Sequence, residues 1–144
     1  MANLLHPLVA LVGGLAITLQ AHCMGIVDMA LGTRTSVTFT YASGGLVALL
    51  LAAATGGLET RGASALPWWV WTNGVLGLLI VGAIGFVVPR MGAGRGLTLI
   101  LVSQFLLAAA IDHFGLLGAV QRPMDASRVA GLVVMLAGAA LVVR

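Results

Sequence analysis

Long apolar runs separated by short polar connections dominate this chain. Five runs approach the ~20 residues that a helix needs to cross the hydrocarbon core of a bilayer, and they cover residues 7–27, 37–57, 67–88, 96–118 and 127–143. The runs are apolar on every side, whereas the strands of a membrane barrel alternate between apolar and polar residues. Because backbone groups in lipid must be satisfied within the segment, the pattern predicts five transmembrane helices in a single domain over residues 1–144.

The predicted connections are brief and carry arginine, glycine or proline, which are the expected residues between helices. They cover residues 28–36, 58–66, 89–95 and 121–127. The first run lacks a basic segment before it and a good cleavage site after it, so we expect it to be retained as a span.

Composition supports a membrane protein and argues against a nucleic-acid partner. Hydrophobic residues make up 60% of the chain and charged residues 8%, against about 25% charged in an ordinary soluble domain. The seven cationic residues are arginines scattered singly between apolar runs, whereas nucleic-acid-binding proteins cluster such residues on one face. The expected surroundings are therefore the lipid bilayer.

The arginines are divided almost evenly between the two sides of the predicted bundle. With five spans, the side of the N-terminus holds three arginines and the opposite side holds four. A clear excess on one side normally sets orientation. The near balance favours insertion in both directions, or pairing with a chain of opposite orientation, over a single orientation set by the first helix. The two groups are Arg61, Arg122 and Arg128 on the first side, and Arg34, Arg90, Arg95 and Arg144 on the second.

Two glutamines lie deep within apolar runs. Gln20 is two-thirds along the first run and Gln104 is near the middle of the fourth. Each amide offers donors and an acceptor, so the pair could bind a polar solute in a central cavity. It could also simply join helices by hydrogen bonds. Tyr41 and Asn73 are weaker candidates for the same cavity.

An acid and an imidazole end the fourth run. Asp112 lies ~24 Å along a ~30 Å core, which places it towards one interface. Such residues usually face a bundle interior or water, so Asp112 is a candidate coupling or gating acid with His113 beside it. The alternative is a wetted helix end without a transport role.

Aromatic and small residues suggest contacts with the membrane and with a partner. Trp68, Trp69 and Trp71 start the third run, where an interfacial aromatic belt would lie, and Trp69 is also a candidate for flanking a cavity. Gly131 and Gly138 are two turns apart on one face of the fifth run. That spacing suits either a dimer contact or packing within one chain.

No arrangement in the sequence suggests catalysis. No serine, histidine and acid share a recognisable spacing, no cysteine and histidine cluster suits a metal, and no phosphate-binding loop follows a strand. We therefore expect neither an enzyme nor a bound cofactor or metal.

Several stretches resemble the drug/metabolite transporter superfamily, and in particular its short five-helix branch of bacterial inner-membrane proteins (YdcZ-like). The most specific is "SQFLLAAAIDHFGLLG", through Ser103-Gln104 and Ile111-Asp112-His113-Phe114-Gly115. "LPWWVWTNGVLG" resembles the start of the branch's third helix, and "RVAGLVVMLAGAALV" resembles its last helix. Met24 stands where the branch has asparagine, and Asn73 where it usually has glycine.

The resemblance implies half of a ten-helix inverted-repeat transporter fold, completed by antiparallel pairing with itself or a sister chain. It implies secondary transport, by alternating access, of a small organic solute of cationic or amphipathic character. Gln20, Gln104, Trp69, Asn73 and Tyr41 would then serve the solute. The alternatives are a non-transporting subunit or scaffold for a partner, and a flippase for a lipid carrier.

Overall fold

The structure is a computed structural model that describes residues 2–144, with side chains from residue 4 onwards. Five α-helices account for most of these residues, and no strand is found among them. All five are long and apolar enough to cross a membrane, which confirms the predicted all-α membrane protein. The helices are α1 (Ala2–Leu31), α2 (Thr33–Ala54), α3 (Asn73–Met91), α4 (Ala93–Phe114) and α5 (Ala126–Val143).

Two of the connections are much shorter than the sequence pattern suggested. Gly32 alone joins α1 to α2, where a connection over 28–36 was predicted, and Gly92 alone joins α3 to α4. The prediction failed because it treated Asp28 as a loop residue. In the structure the apolar residues that follow Asp28 continue α1, and the carboxylate is paired within the fold.

Both single-residue connections adopt a backbone conformation that is open almost only to glycine. Gly32 has φ 84° and ψ 160°, and Gly92 has φ 83° and ψ 152°. A side chain in this region clashes with the backbone, so other residues adopt it only under strain. These glycines therefore allow one helix to end and the next to begin without further residues.

The other helix ends differ from the predicted spans by a few residues. α2 ends at Ala54 and α4 at Phe114, earlier than the predicted 57 and 118. α3 continues through Pro89 to Met91, although proline lacks the N–H that would donate to the preceding turn. A 3-10 helix over Trp68–Thr72 precedes α3, and it lengthens that span to Trp68–Met91.

The chain divides into two compact units, Met1–Arg90 and Met91–Arg144; the expectation of a single domain stays a prediction. The buried side of the first unit lies near the Gly32 connection: in the last turns of α1, the first turn of α2 and the last turns of α3. Its buried residues are Ala21, Met24, Gly25, Asp28, Ser36, Gly85 and Val88.

Small residues bring the three helices together in this buried part. A Cβ added to Gly85 would lie 3.0 Å from Cε of Met24, and one added to Gly25 would lie 3.7 Å from Cδ of Pro89. The Ser36 hydroxyl, buried on α2, donates to the carbonyl oxygen of Met24 at 2.9 Å. This close approach through glycine and serine is typical of membrane helices, which associate by packing and hydrogen bonding.

The second unit is built from α4 and α5, which pack against each other. Nη2 of Arg95, at the start of α4, donates to the backbone oxygen of Arg144 at 3.2 Å, so the beginning of one helix meets the end of the other. The segment between them starts at Gly115, which ends α4 by donating its N–H to the carbonyl of Ile111.

Replacing Gly32 by alanine should destabilise the protein by about 1–3 kcal/mol, because alanine would be strained in this conformation. Gly13 is the matched control, since it lies inside α1 with no atom within 4 Å of an added Cβ. Gly13→Ala should leave stability unchanged or raise it by about 0.5–1 kcal/mol. Equilibrium unfolding in detergent micelles measures both changes. Equal stability of Gly32→Ala and wild type would contradict the single-residue connection.

Candidate functional site

A groove with a mainly apolar lining and a few polar side chains runs between α1 and α2 in the first unit, and we call it the α1–α2 groove. Its volume is about 390 Å³. One wall is a stripe of α1 at helical spacing, and the other is the facing side of α2. The lining residues are Gln20, Cys23, Met24, Val27, Ser36, Phe39, Thr40, Ser43 and Gly44.

The hydroxyl groups of the groove are already used as donors. Thr40 donates to the carbonyl of Ser36 at 2.9 Å, and Ser43 donates to that of Phe39 at 2.8 Å. Their oxygen atoms can still accept hydrogen bonds. Gln20 differs, because it is exposed and the described residues give its amide no hydrogen-bond partner. Its side chain is therefore the groove's available donor.

A second groove, the α4–α5 groove, lies within the second unit and has a volume of about 460 Å³. Asp112 and Arg128 bring opposite charges to its lining. They form no ion pair within 4.0 Å in the described part of the chain. Arg128 instead donates through Nη1 to the carbonyl of Arg122 at 3.3 Å. The remaining lining residues are Phe105, Ala108, Ala109, Met124, Gly131, Leu132 and Met135.

Next to this groove, His113 holds the segment that connects α4 to α5. Its Nδ1 accepts a hydrogen bond from the backbone N–H of Met124 at 3.1 Å. Its carbonyl accepts one from Nε2 of Gln121, also at 3.1 Å. The neighbouring carbonyl of Asp112 accepts the N–H of Arg122 at 2.7 Å. The motif Ile-Asp-His-Phe-Gly thus ties down the connection as well as ending α4, a role that the sequence analysis missed.

Asp125 caps the start of α5. Its carboxylate accepts the backbone N–H of Arg128 at 2.8 Å and the hydroxyl of Ser127 at 2.8 Å. The hydrogen bond from the Arg128 backbone, followed by that from Ser127, lowers the pKa of Asp125 below its usual value of 3.8. The cap is therefore charged at neutral pH, and it is lost only as acid protonates the carboxylate.

The other candidates from the sequence fall in different places. Trp69 and Asn73 belong to the 3-10 helix and to the start of α3. The Tyr41 hydroxyl lies against Gly77, where an added Cβ would collide with it. Gln104 is exposed on α4 and is absent from the lining of the α4–α5 groove. The roles predicted for these side chains stay predictions.

The two glycines predicted to form a dimer contact are both exposed on α5. Gly131 lines the α4–α5 groove, and no described atom lies within 4 Å of a Cβ added to either Gly131 or Gly138. Neither glycine therefore makes a close contact within the described chain, and their role in a dimer stays a prediction.

An ion pair with a buried carboxylate was not foreseen from the sequence. Asp28 of α1 pairs with Arg90 of α3, with 3.0 Å between Oδ2 and Nη1. A signal was present: Gln20, Met24 and Asp28 are four residues apart, so a continued helix places them along one side of α1. Among the described residues, no group of three or more histidine, cysteine, aspartate or glutamate side chains could hold a metal ion.

The hydrogen bond to His113 gives a test of the connection between α4 and α5. His113→Leu removes the acceptor for the Met124 N–H and should destabilise the second unit by about 1–2 kcal/mol. His113→Asn offers an amide oxygen in a similar position, so it should retain part of this stability. Hydrogen exchange at Met124 measures the effect directly. Unchanged exchange in His113→Leu would show that the ring does not hold this segment.

Known proteins provide a comparison for this chain of five apolar helices. A family model described as "Putative inner membrane exporter, YdcZ" matches residues 5–141. A search of curated proteins and a search of solved structures each found no match. Because the family model covers nearly the whole chain, this multi-pass membrane protein belongs to the YdcZ family, a short branch of the drug/metabolite transporter type.

Proposed function

We propose that this protein exports a small organic solute, of cationic or amphipathic character, by alternating access across the bacterial inner membrane. The working unit is an antiparallel dimer, formed with a second copy or a sister chain. Membership of an exporter family supports transport in general. The polar side chains within the spans support a solute chamber formed by two chains.

The exposed amide of Gln20 carries this proposal. It lies in an apolar span, in a groove whose hydroxyl hydrogens are taken by backbone carbonyls. A polar group left without partners in lipid costs several kcal/mol. A solute or a second chain that covers the α1–α2 groove would remove this penalty. Because Gln20 offers both donors and an acceptor, it suits recognition of a polar group on the solute.

Gln104, in the second unit, also has an amide that needs a hydrogen-bond partner. It is exposed in the middle of α4, and the described residues offer its amide no hydrogen bond. One chain therefore leaves two amides uncovered at membrane depth. A second chain of opposite orientation would present the same two amides to them, and the nearly even arginine distribution is compatible with such a pair.

The remaining roles follow the position of each side chain. Gln20 and Gln104 bind the solute, while Tyr41, Asn73 and Trp69 flank its path. Asp112 acts as a gating acid because it faces the α4–α5 groove near the end of α4. His113 positions the adjoining connection through its bond with Met124. Gly131 and Gly138 leave one face of α5 open for contact with the second chain.

Efflux of ethidium, a small organic cation, tests the role of Gln20. Cells that lack other exporters of this dye would carry wild-type protein, Gln20→Leu or the control Leu19→Ala, which alters an exposed neighbour on α1. Gln20→Leu should slow efflux by roughly tenfold, which corresponds to about one lost hydrogen bond to the solute. Leu19→Ala should match wild type at equal expression.

Two results would count against the proposal in different ways. Equal efflux by wild type and Gln20→Leu would remove Gln20 from the solute path. Wild-type cells that release ethidium no faster than cells without the protein would overturn the choice of a cationic solute.

A further inference from the structure

Asp28, which forms an ion pair with Arg90, is the buried charged residue of the first unit among those described. The side chain of Asp28 lies within a membrane-spanning helix and is only 1% exposed. Burying a carboxylate in this way is expensive unless its oxygen atoms are paired and hydrogen-bonded. Arg90 supplies one such contact, from Nη1 to Oδ2 at 3.0 Å. The roles proposed above for the glutamines and for Asp112 make no use of this pair.

The second oxygen of the carboxylate is left without a partner. Oδ1 of Asp28 is fully buried, and no described donor reaches it. An ionised carboxylate can accept about four hydrogen bonds, whereas a neutral carboxyl has less need of donors. The charged form is therefore held mainly by Arg90, and protonation would remove the need for that contact.

Arg90 connects the buried acid with the outside of the unit. Its side chain is 45% exposed, and it lies near the end of α3. Nη1 also donates to the carbonyl of Phe86 at 2.7 Å, and the guanidinium lies 3.9 Å above the ring of Phe86. Arg90 can therefore leave Asp28 and stay charged towards the membrane surface, since long cationic side chains near helix ends reach the interface.

We propose that Asp28 is a proton-binding site that couples proton uptake to movement of α1 against α3. Water at the membrane surface delivers the proton along the exposed side of Arg90, and a new O–H bond forms at Oδ1. The carboxyl becomes neutral, its ion pair with Nη1 breaks, and the guanidinium keeps its own proton. This proposal rests on the proposed export function, to which it adds a proton as the coupling ion.

Few groups around Asp28 could bind the proton in its place. On α3, Arg90 is the one charged side chain within 4.0 Å of the carboxylate in the described part of the chain. On α2, the buried Ser36 hydroxyl gives its hydrogen to the carbonyl of Met24. Proton uptake at Asp28 therefore acts on the contact with α3.

If Arg90 releases Asp28, only contacts between uncharged residues still hold α1 against α3. Beside the ion pair, the two helices touch through small residues: Pro89 lies against Gly25, and Met24 lies against Gly85. These contacts are weak individually and have no charge to hold them together. We therefore expect the ends of α1 and α3 to separate when Asp28 is protonated and to close again when the proton leaves.

Infrared spectroscopy of the full chain in lipid bilayers tests the proton site without any solute. The difference spectrum between acidic and neutral buffer should contain a protonated-carboxyl band that is lost in Asp28→Asn and kept in the control Glu59→Gln. In Arg90→Gln the band should already be present at neutral pH, because the acid has lost its cation. Loss of the band in Asp112→Asn instead would assign the proton to Asp112 and overturn the proposal.

Spin labels measure the expected movement. Cysteines replacing Ile26 on α1 and Ala83 on α3, both exposed positions, carry the labels in a Cys23→Ser background. Acidification should lengthen their separation, and in Asp28→Asn/Arg90→Gln the separation should no longer depend on pH. An unchanged separation in the parent protein would overturn the coupling.

The infrared experiment and the export assay test different proposals, and each can fail without the other. An Asp28 band in a protein that exports no ethidium would leave the proton site standing and overturn the export of a cation. Ethidium export by a protein without the Asp28 band would overturn the proton site alone.

Discussion

A polar side chain within a bilayer needs a hydrogen-bond partner from the protein, because lipid offers none. The first unit meets this constraint in several ways. The hydroxyls of Ser36, Thr40 and Ser43 return to backbone carbonyls, and the carboxylate of Asp28 pairs with Arg90. The amides of Gln20 in this unit and Gln104 in the second unit are exposed without a hydrogen-bond partner in the described chain, and Oδ1 of Asp28 is buried without one. A second chain or a polar solute would supply the partners that the two amides lack.

The first unit is tightly packed where the buried carboxylate of Asp28 needs its partner. Glycine at positions 25 and 85 lets α1 and α3 approach, and this approach is what places Arg90 within reach of Asp28. Most of the remaining side chains of α1 and α2 are exposed. One end of these helices is therefore joined by packing and charge, while the α1–α2 groove beyond it stays open. The joined end is the part that the proposed protonation of Asp28 would release.

The number of helices and their apolar character could be predicted from the sequence, because run length and composition are local properties. The end of α1 could not, since Asp28 stays helical through a partner 62 residues away. A local pattern also gave no indication that Nδ1 of His113 would accept the N–H of Met124. Asp112 was expected near one interface, and it does lie in the last turn of α4. That Asp112 and Arg128 line the same groove depends on how α4 and α5 pack, which helical spacing alone does not give.

The orientation of the chains within one particle tests the central claim most directly. Electron cryomicroscopy of the protein purified into lipid nanodiscs would show the direction of each chain and the surroundings of Gln20 and Gln104. The account predicts two chains of opposite orientation, with these amides facing a shared polar chamber. Particles in which the chains all point the same way, or in which both amides face lipid, would contradict it.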